Sequence, residues 1–322
     1  MPNWIITGSI AGLTAAAMQA TIMSLSPINA IIFYLSPLPL FLAGFSRGWA
    51  SAALGALIMS IVLAVLTGSM TFAFMSLISA GLGPVVASGL SMISRTATAD
   101  SAEGEAQSNE RQWYPEGRLI LWLALISAVV TGISILAMGM DIVSYKAFIS
   151  SFADPLIAAI EKQMPPGQPP FPKEFFMHLM VTTLPLAASA IWLLATVTSM
   201  RVAIVFLTRI KRTLRPWALF EQLAFPANSV IALLACLMGA YFLPGIFQLL
   251  ALGAAGAFVT AFTILGLAIV HGLLATSAAK PLVLGLLYAG LLFFNWILAV
   301  PLTVLGLADL NFNFRKSKSI QS

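Results

Sequence analysis

IIFYLSPLPLFLAGFSRGWASAALGALI, residues Ile31–Ile58, is almost wholly apolar, yet it carries Pro37 and Pro39 in its middle, Arg47 among glycines, and then a row of small residues. Proline removes a backbone donor, and inside a membrane helix that is tolerated only where protein or a polar cavity supplies other partners. The stretch therefore reads as a broken membrane crossing, a tight turn at the membrane surface marked by Gly44, Arg47 and Gly48, and a second helix built for close packing. A break of this kind builds a binding site near the bilayer midplane in some transporters and is a plain kink in many other helices. GLGPVV, Gly81–Val86, is a second point of the same sort.

Composition agrees with a membrane. Of 322 residues 60% are hydrophobic and 8% charged, against about a quarter charged in a soluble domain, and the mean hydropathy is +0.97. Backbone groups in hydrocarbon must be satisfied internally, and the apolar runs are too long for barrel strands, so the expected fold is all-α. The net charge of +5 lies beside the apolar runs, where positive-inside bias and anionic lipid account for it without nucleic acid. The single cysteine, Cys236, excludes a disulfide framework or a Cys-rich metal site. MPNWIITGSIAGLTAAAMQATIM lacks the basic leader of a secretory signal and reads as a retained helix.

Windows of about 20 apolar residues give spans near 3–24, 28–45, 48–68, 71–94, 118–140, 177–200, 227–243, 247–273 and 281–306. The expectation is one integral membrane domain, a polytopic helical bundle of about eight or nine spans. Three segments interrupt or end it: a polar loop at 95–117, an interfacial segment at 141–175 and a basic tail at 311–322. Within 141–175, Tyr145, Phe148, Ile149 and Phe152 follow helical spacing, and Asp154 followed by Pro155 reads as the start of a second short helix. Both helices suit an interface, either bridging two distant spans or closing a lid over an outward cavity. PPGQPPFP, Pro165–Pro172, forms a stiff link onward.

Lys and Arg set the orientation. Arg201–Trp217 carries five basic residues and no acid, which places it in the cytoplasm together with the loop at 95–117, Arg47 and the N-terminus, and places 141–175 outside. Counting forward leaves Arg315, Lys316 and Lys318 outside, against the same rule. In helical projection Arg201, Arg209, Lys211, Arg212 and Arg215 share one half of the circumference, opposite Phe206, Leu207, Ile210, Leu214 and Trp217. The stretch is predicted to be a basic amphipathic helix, with Arg209, Lys211, Arg212 and Arg215 contacting anionic lipid or a cytoplasmic partner.

In the first span Gly8, Gly12, Ala16, Ala20 and Ser24 recur every four residues, a stripe that admits another backbone closely. It is a candidate docking surface for a transmembrane partner or for a helix of the same chain. Gly48, Ala52, Ala56 and Ser60 repeat the device. Pro37, Pro39, Asn295 and Trp296 are the candidate helix-break or cavity residues. The remaining polar residues near spans, Gln19, Asn29, Glu221, Gln222, Asn228, Gln248 and His271, suit contacts between neighbouring helices. His178 and His271, the two histidines, fall near opposite faces, and no phosphate loop, H-E-x-x-H motif or acidic cluster within a span occurs. The expectation is a protein without catalytic chemistry, metal or cofactor. Its expected partners are membrane lipids, with another transmembrane protein and a small-molecule ligand as further candidates, and not nucleic acid.

SPLPLFLAGFSRGWASAALGALI, LGLAIVHGLL and the terminal GLADLNFNFR together resemble the YybS-like family of uncharacterised bacterial integral membrane proteins, itself similar in its first half to the S components of energy-coupling-factor transporters. The matching positions are Pro37, Pro39, Gly44, Gly48, Gly266, Asp309, Phe312 and Arg315; the family often has an acid where this chain has Asn313. The resemblance implies an S-component-like first half, a bacterial inner membrane, and a first helix whose small residues dock a transmembrane partner. It implies no substrate.

Overall fold

The computed structural model describes residues 3–23, 26–96, 111–165, 171–294 and 296–312. In chain order its elements are α1 (Asn3–Ala20), α2 (Pro27–Tyr34), α3 (Pro37–Arg47), α4 (Trp49–Thr67), α5 (Met70–Ser76), α6 (Leu82–Ser91), β1 (Ser94–Thr96), β2 (Arg111–Trp113), α7 (Glu116–Met138), α8 (Ile142–Gln163), α9 (Lys173–Arg209), α10 (Ser229–Phe242), α11 (Gly245–Leu273), α12 (Lys280–Phe294) and α13 (Trp296–Phe312). The fold is all-α apart from β1 and β2, a short antiparallel ribbon pairing Ser94 with Trp113 and Thr96 with Arg111. That ribbon closes the ends of the polar loop; residues 97–110 lie outside the described residues.

Among the described residues, eight helical rods are long and apolar enough to cross a bilayer. Seven fall where hydropathy places spans, and the eighth is α8. The expected span at 227–243 is α10, with 14 residues, short of the ~20 needed to cross alone. The expected span at 281–306 is not one rod but two helices, α12 and α13, packed against each other. Lys280 pairs with Glu221 at 3.5 Å and Tyr288 Oη meets His271 Nε2 at 2.9 Å, holding α12 beside the end of α11. α13 then runs back antiparallel along α11, with Thr303 hydrogen-bonded to Thr263 at 2.9 Å and Leu302 backbone lying close to Gly266. With 15 and 17 residues, α12 and α13 are shorter than the eight spanning rods.

The break at Pro37 and Pro39 is real, and the two carbonyls facing the missing donors find other partners. The carbonyls of Phe33 and Leu35, which the missing proline N–H groups would have served, accept instead from Ser36 N at 3.1 Å and Leu38 N at 3.0 Å. Gly48, at φ +94°, ends α3 and turns the chain into α4. The second suspected break behaves differently. Leu77–Gly81 form a π-helical turn, and α6 continues through Pro84. The wider turn shifts the hydrogen-bond register just before the proline, so the rod from Met70 to Ser91 stays continuous.

Close packing holds the first half together, as expected in lipid, where apolar burial between helices gains little over contact with acyl chains. A Cβ on Gly8 would lie 2.6 Å from Ser51 O, and one on Gly12 would run into Gly55 backbone. On its other face α4 sets Ala56 against Gly81 and donates Ser60 Oγ to Ala73 O at 2.9 Å. A second cluster joins α3, α7, α9 and α11 through Phe41, Phe45, Leu123, Leu193, Met200 and Phe262.

Candidate functional site

α8 is one helix from Ile142 to Gln163 with Pro155 inside it, not two. Asp141 caps it, accepting from Val143 N at 2.8 Å and Ser144 N at 2.9 Å. The bond from Ser144, with help from its hydroxyl, holds the Asp141 carboxyl below the ordinary carboxylate range. Asp154, expected as a second cap, pairs with Lys173 at 3.0 Å. Ala153 and Ile157 are buried on either side of Pro155, and this packing carries the helix across the one missing donor. Tyr145 and Ile149 pack with Ile135 near the end of α7, Val181 near the start of α9 and Leu249 near the start of α11. A helix touching three rods at the same end crosses the end of the bundle.

Beneath α8 lies a cavity of about 540 Å³, within the range of small-molecule sites. Tyr145, Phe148, Ile149 and Phe152, the helically spaced residues of the sequence, form its roof. α7 and α9 give its walls, including Thr131, Ser134, Met180 and Pro185, and Tyr34, Ser79 and Trp192 complete its lining. Those last three also line an adjoining space of about 90 Å³, completed by Gln19, Ser36, Pro37 and Thr196. Trp192 Nε1 donates to Ser79 O at 2.8 Å, fixing the indole against the π-helical turn. Gln19 is 2% exposed; its Nε2 donates to Ser36 Oγ at 3.0 Å, and its Oε1 has no hydrogen-bond partner among the described residues. The helix break, the π turn and the buried amide therefore meet at one place.

At the opposite end, beside the ribbon, a charged clasp holds the segment after α9. Glu116 Oε2 accepts from Arg201 Nη1 at 2.8 Å and its Oε1 accepts from Ala218 N at 2.7 Å. Arg215 donates to Tyr114 O at 2.8 Å and stacks 3.8 Å over the Trp217 ring, which meets Phe45 edge-on. Burial pushes the Arg215 guanidinium down to about 10, against the pull of Glu116, leaving it a cation at neutral pH.

The clasp corrects the reading of Arg201–Trp217 as one amphipathic helix. α9 ends at Arg209; Lys211 takes φ +53° and Arg212 N reaches back to Leu207 O at 2.9 Å, a left-handed helix stop. Pro216 further disfavours helix at Arg215. Arg209, Lys211 and Arg212 are exposed, whereas Arg215, at 4% exposure, is not available to lipid. The docking stripe is corrected too. Gly8, Gly12 and Ala16 are buried against the chain's own α3 and α4, with Ala20 half-buried beyond them, so no transmembrane partner can use this face. Ser24 lies outside the described residues.

Of the break residues, Pro37 lines the small space and Pro39 sits in the first turn of α3. Asn295 lies outside the described residues, and Trp296 begins α13, which packs on α11 and α12 rather than beside α3. Sequence reading missed Glu116 with Arg201, the burial of Arg215, and Trp192. For Gln19 the signal was present, a lone amide in an apolar run, but nothing local assigned it to a cavity.

These features define an all-α polytopic membrane protein with a roofed cavity at one end and a charged clasp at the other. No family model matches the chain, and neither the curated proteins nor the solved structures give a match.

Proposed function

We propose that this is a non-enzymatic membrane protein that binds a small molecule in the cavity under α8, as a transport-associated component. The observation carrying this reading is the joining of an apolar chamber of about 540 Å³ to a helix break and a buried, half-satisfied Gln19. Charge supports an orientation: Arg47, Arg95, Arg111, Arg118, Arg209, Lys211 and Arg212 gather at the clasp end, whereas α8 and its flanks mix Lys146, Lys162 and Lys173 with Asp141, Asp154, Glu161 and Glu174. Positive-inside bias then puts the clasp and N-terminus in the cytoplasm of a bacterial inner membrane and opens the cavity outward. Kinship with S components would fit ligand binding, but not docking through α1. A second reading, a scaffold for another membrane complex, draws on α12, whose Leu282, Leu286, Leu292 and Phe293 are all exposed. Native mass spectrometry of protein purified in mild detergent separates the two. A co-purifying small molecule, lost when Ala188→Trp fills the cavity, is expected; a stoichiometric protein partner with no small molecule would overturn the binding reading.

A further inference from the structure

α7 and α10 both pack on α11 and make no comparable contact with each other. Their first turns are pinned together, since a Cβ on Gly117 would run into the backbone of Ala224, in the segment leading into α10. Beyond that contact the two helices leave a groove of about 440 Å³, lined by Leu121 and Leu125 from α7, Ala232 from α10 and Phe258 from α11 between them. Its polar groups gather at the clasp end, and three of them can donate. Arg118 is exposed and has no carboxylate partner among the described residues; Glu116, two places before it, is taken by Arg201 and Ala218 N. Tyr114 Oη accepts from Trp122 Nε1 at 3.0 Å, which leaves its own proton to give. The Asn228 side chain makes no capping bond to α10. Among the described lining residues there is no Asp or Glu. A cation and two neutral donors above an apolar trough, with Trp122 beside them as an interfacial anchor, match an anion that carries a hydrocarbon tail.

We propose that this groove is a site for one anionic phospholipid, its phosphate held by Arg118 and Tyr114 and one acyl chain laid between α7 and α10 against Phe258. The phosphodiester oxygens accept from the guanidinium, the phenol and the Asn228 amide. No carboxylate in the lining meets the ammonium of a zwitterionic headgroup, so phosphatidylglycerol is preferred to phosphatidylethanolamine. Arg209, Lys211 and Arg212 are exposed at the same end of the molecule but line no part of the groove, and they supply only diffuse attraction to a charged surface. The site is independent of the cavity under α8 and of which side of the membrane the clasp faces.

Native mass spectrometry of the full chain in mild detergent tests this by counting lipids bound one at a time. The probes are phosphatidylglycerol and phosphatidylethanolamine with the same palmitoyl and oleoyl chains, and glycerophosphoglycerol, the headgroup alone. The first phosphatidylglycerol is expected to bind about fivefold tighter than the first phosphatidylethanolamine, the worth of roughly one basic side chain near a charged surface, and the bare headgroup not measurably. Arg118→Gln should erase the preference, Arg118→Lys should keep most of it, and Arg209→Gln should leave it intact. Ala232→Phe, which fills the groove, should weaken the first phosphatidylglycerol to the level of the second. Melting temperatures without added lipid show that each variant is folded; if Ala232→Phe is not, Leu125→Trp narrows the same groove from an exposed position. Equal affinity for the two lipids, or a preference that Arg209→Gln lowers as far as Arg118→Gln does, would assign the effect to diffuse charge. Tight binding of the bare headgroup would make this an anion site without a chain, and a first phosphatidylglycerol unmoved by filling the groove would place the chain elsewhere. Each of these results overturns the proposal.

Discussion

Glu116→Gln keeps the shape of a side chain and removes the charge around which the clasp is built. In the folded protein both carboxylate oxygens are used, one by Arg201 at 2.8 Å and one by Ala218 N at 2.7 Å, and the paired side chains are 9% and 20% exposed. Solvent screening of the pair is therefore small. At an effective dielectric of about 20, unit charges ~4 Å apart attract by ~4 kcal/mol, and desolvation of both ions offsets part of that. The amide can still accept from Ala218 but more weakly, and Arg201 is left as a largely buried cation whose remaining contact is the Phe220 ring, 5.3 Å away. We expect Glu116→Gln to destabilise by about 2–4 kcal/mol, in line with breaking one partner of a buried pair. Arg201→Gln should cost a similar amount. The double variant should recover about 1–3 kcal/mol relative to the sum, because the second change removes the stranded charge. Equilibrium unfolding in mixed micelles measures the cycle. Limited trypsin digestion gives an independent readout, since Arg209, Lys211 and Arg212 should be cut faster once Ala218 is no longer anchored. A coupling below ~0.5 kcal/mol with unchanged digestion would refute the clasp as an interacting unit.

Three further outcomes follow from the structure. Gly12→Leu forces α1 away from Gly55 and Ile58, so thermal stability in detergent should fall by the ~1–3 kcal/mol of overpacking; full stability would contradict the internal use of the stripe. The depressed carboxyl of Asp141 contributes stability above the ordinary carboxylate pKa and loses it as pH falls through the folded value, so below about pH 4 the protection of the Val143 and Ser144 amides, relative to their intrinsic exchange at each pH, should fall. Asp141→Asn should remove that fall, and protection that does not change with pH would show the cap to be idle. Reporter fusions after Gln107 and Arg215 should report the cytoplasm and one after Gln168 the outside; a periplasmic signal at Gln107 would reverse the orientation.

Some of this architecture could be read from the chain in order. Hydropathy located seven of the crossings because burial in lipid is decided residue by residue along a helix. Pro37 and Pro39 announced the break between α2 and α3 because a missing N–H is a local fact. The spacing of Tyr145, Phe148, Ile149 and Phe152 marked the face of α8 that roofs the cavity. The span expected at 281–306 failed because α12 and α13 are each apolar, so hydropathy alone sees one segment where the fold has two helices.

Tertiary structure decided everything that depends on who stands opposite. The stripe from Gly8 to Ala16 says that a backbone comes close, and only the fold identifies it as α4, because small residues specify a distance and not a partner. Arg215 looks like its basic neighbours in sequence, yet the left-handed stop at Lys211 turns the chain back and buries it over Trp217. Glu116 and Arg201 are 85 residues apart, and Gln19 meets Ser36, Ser79 and Trp192 from four different rods. An ion pair or a cavity is a relation between surfaces distant along the chain, so no local pattern encodes it until the helices have packed.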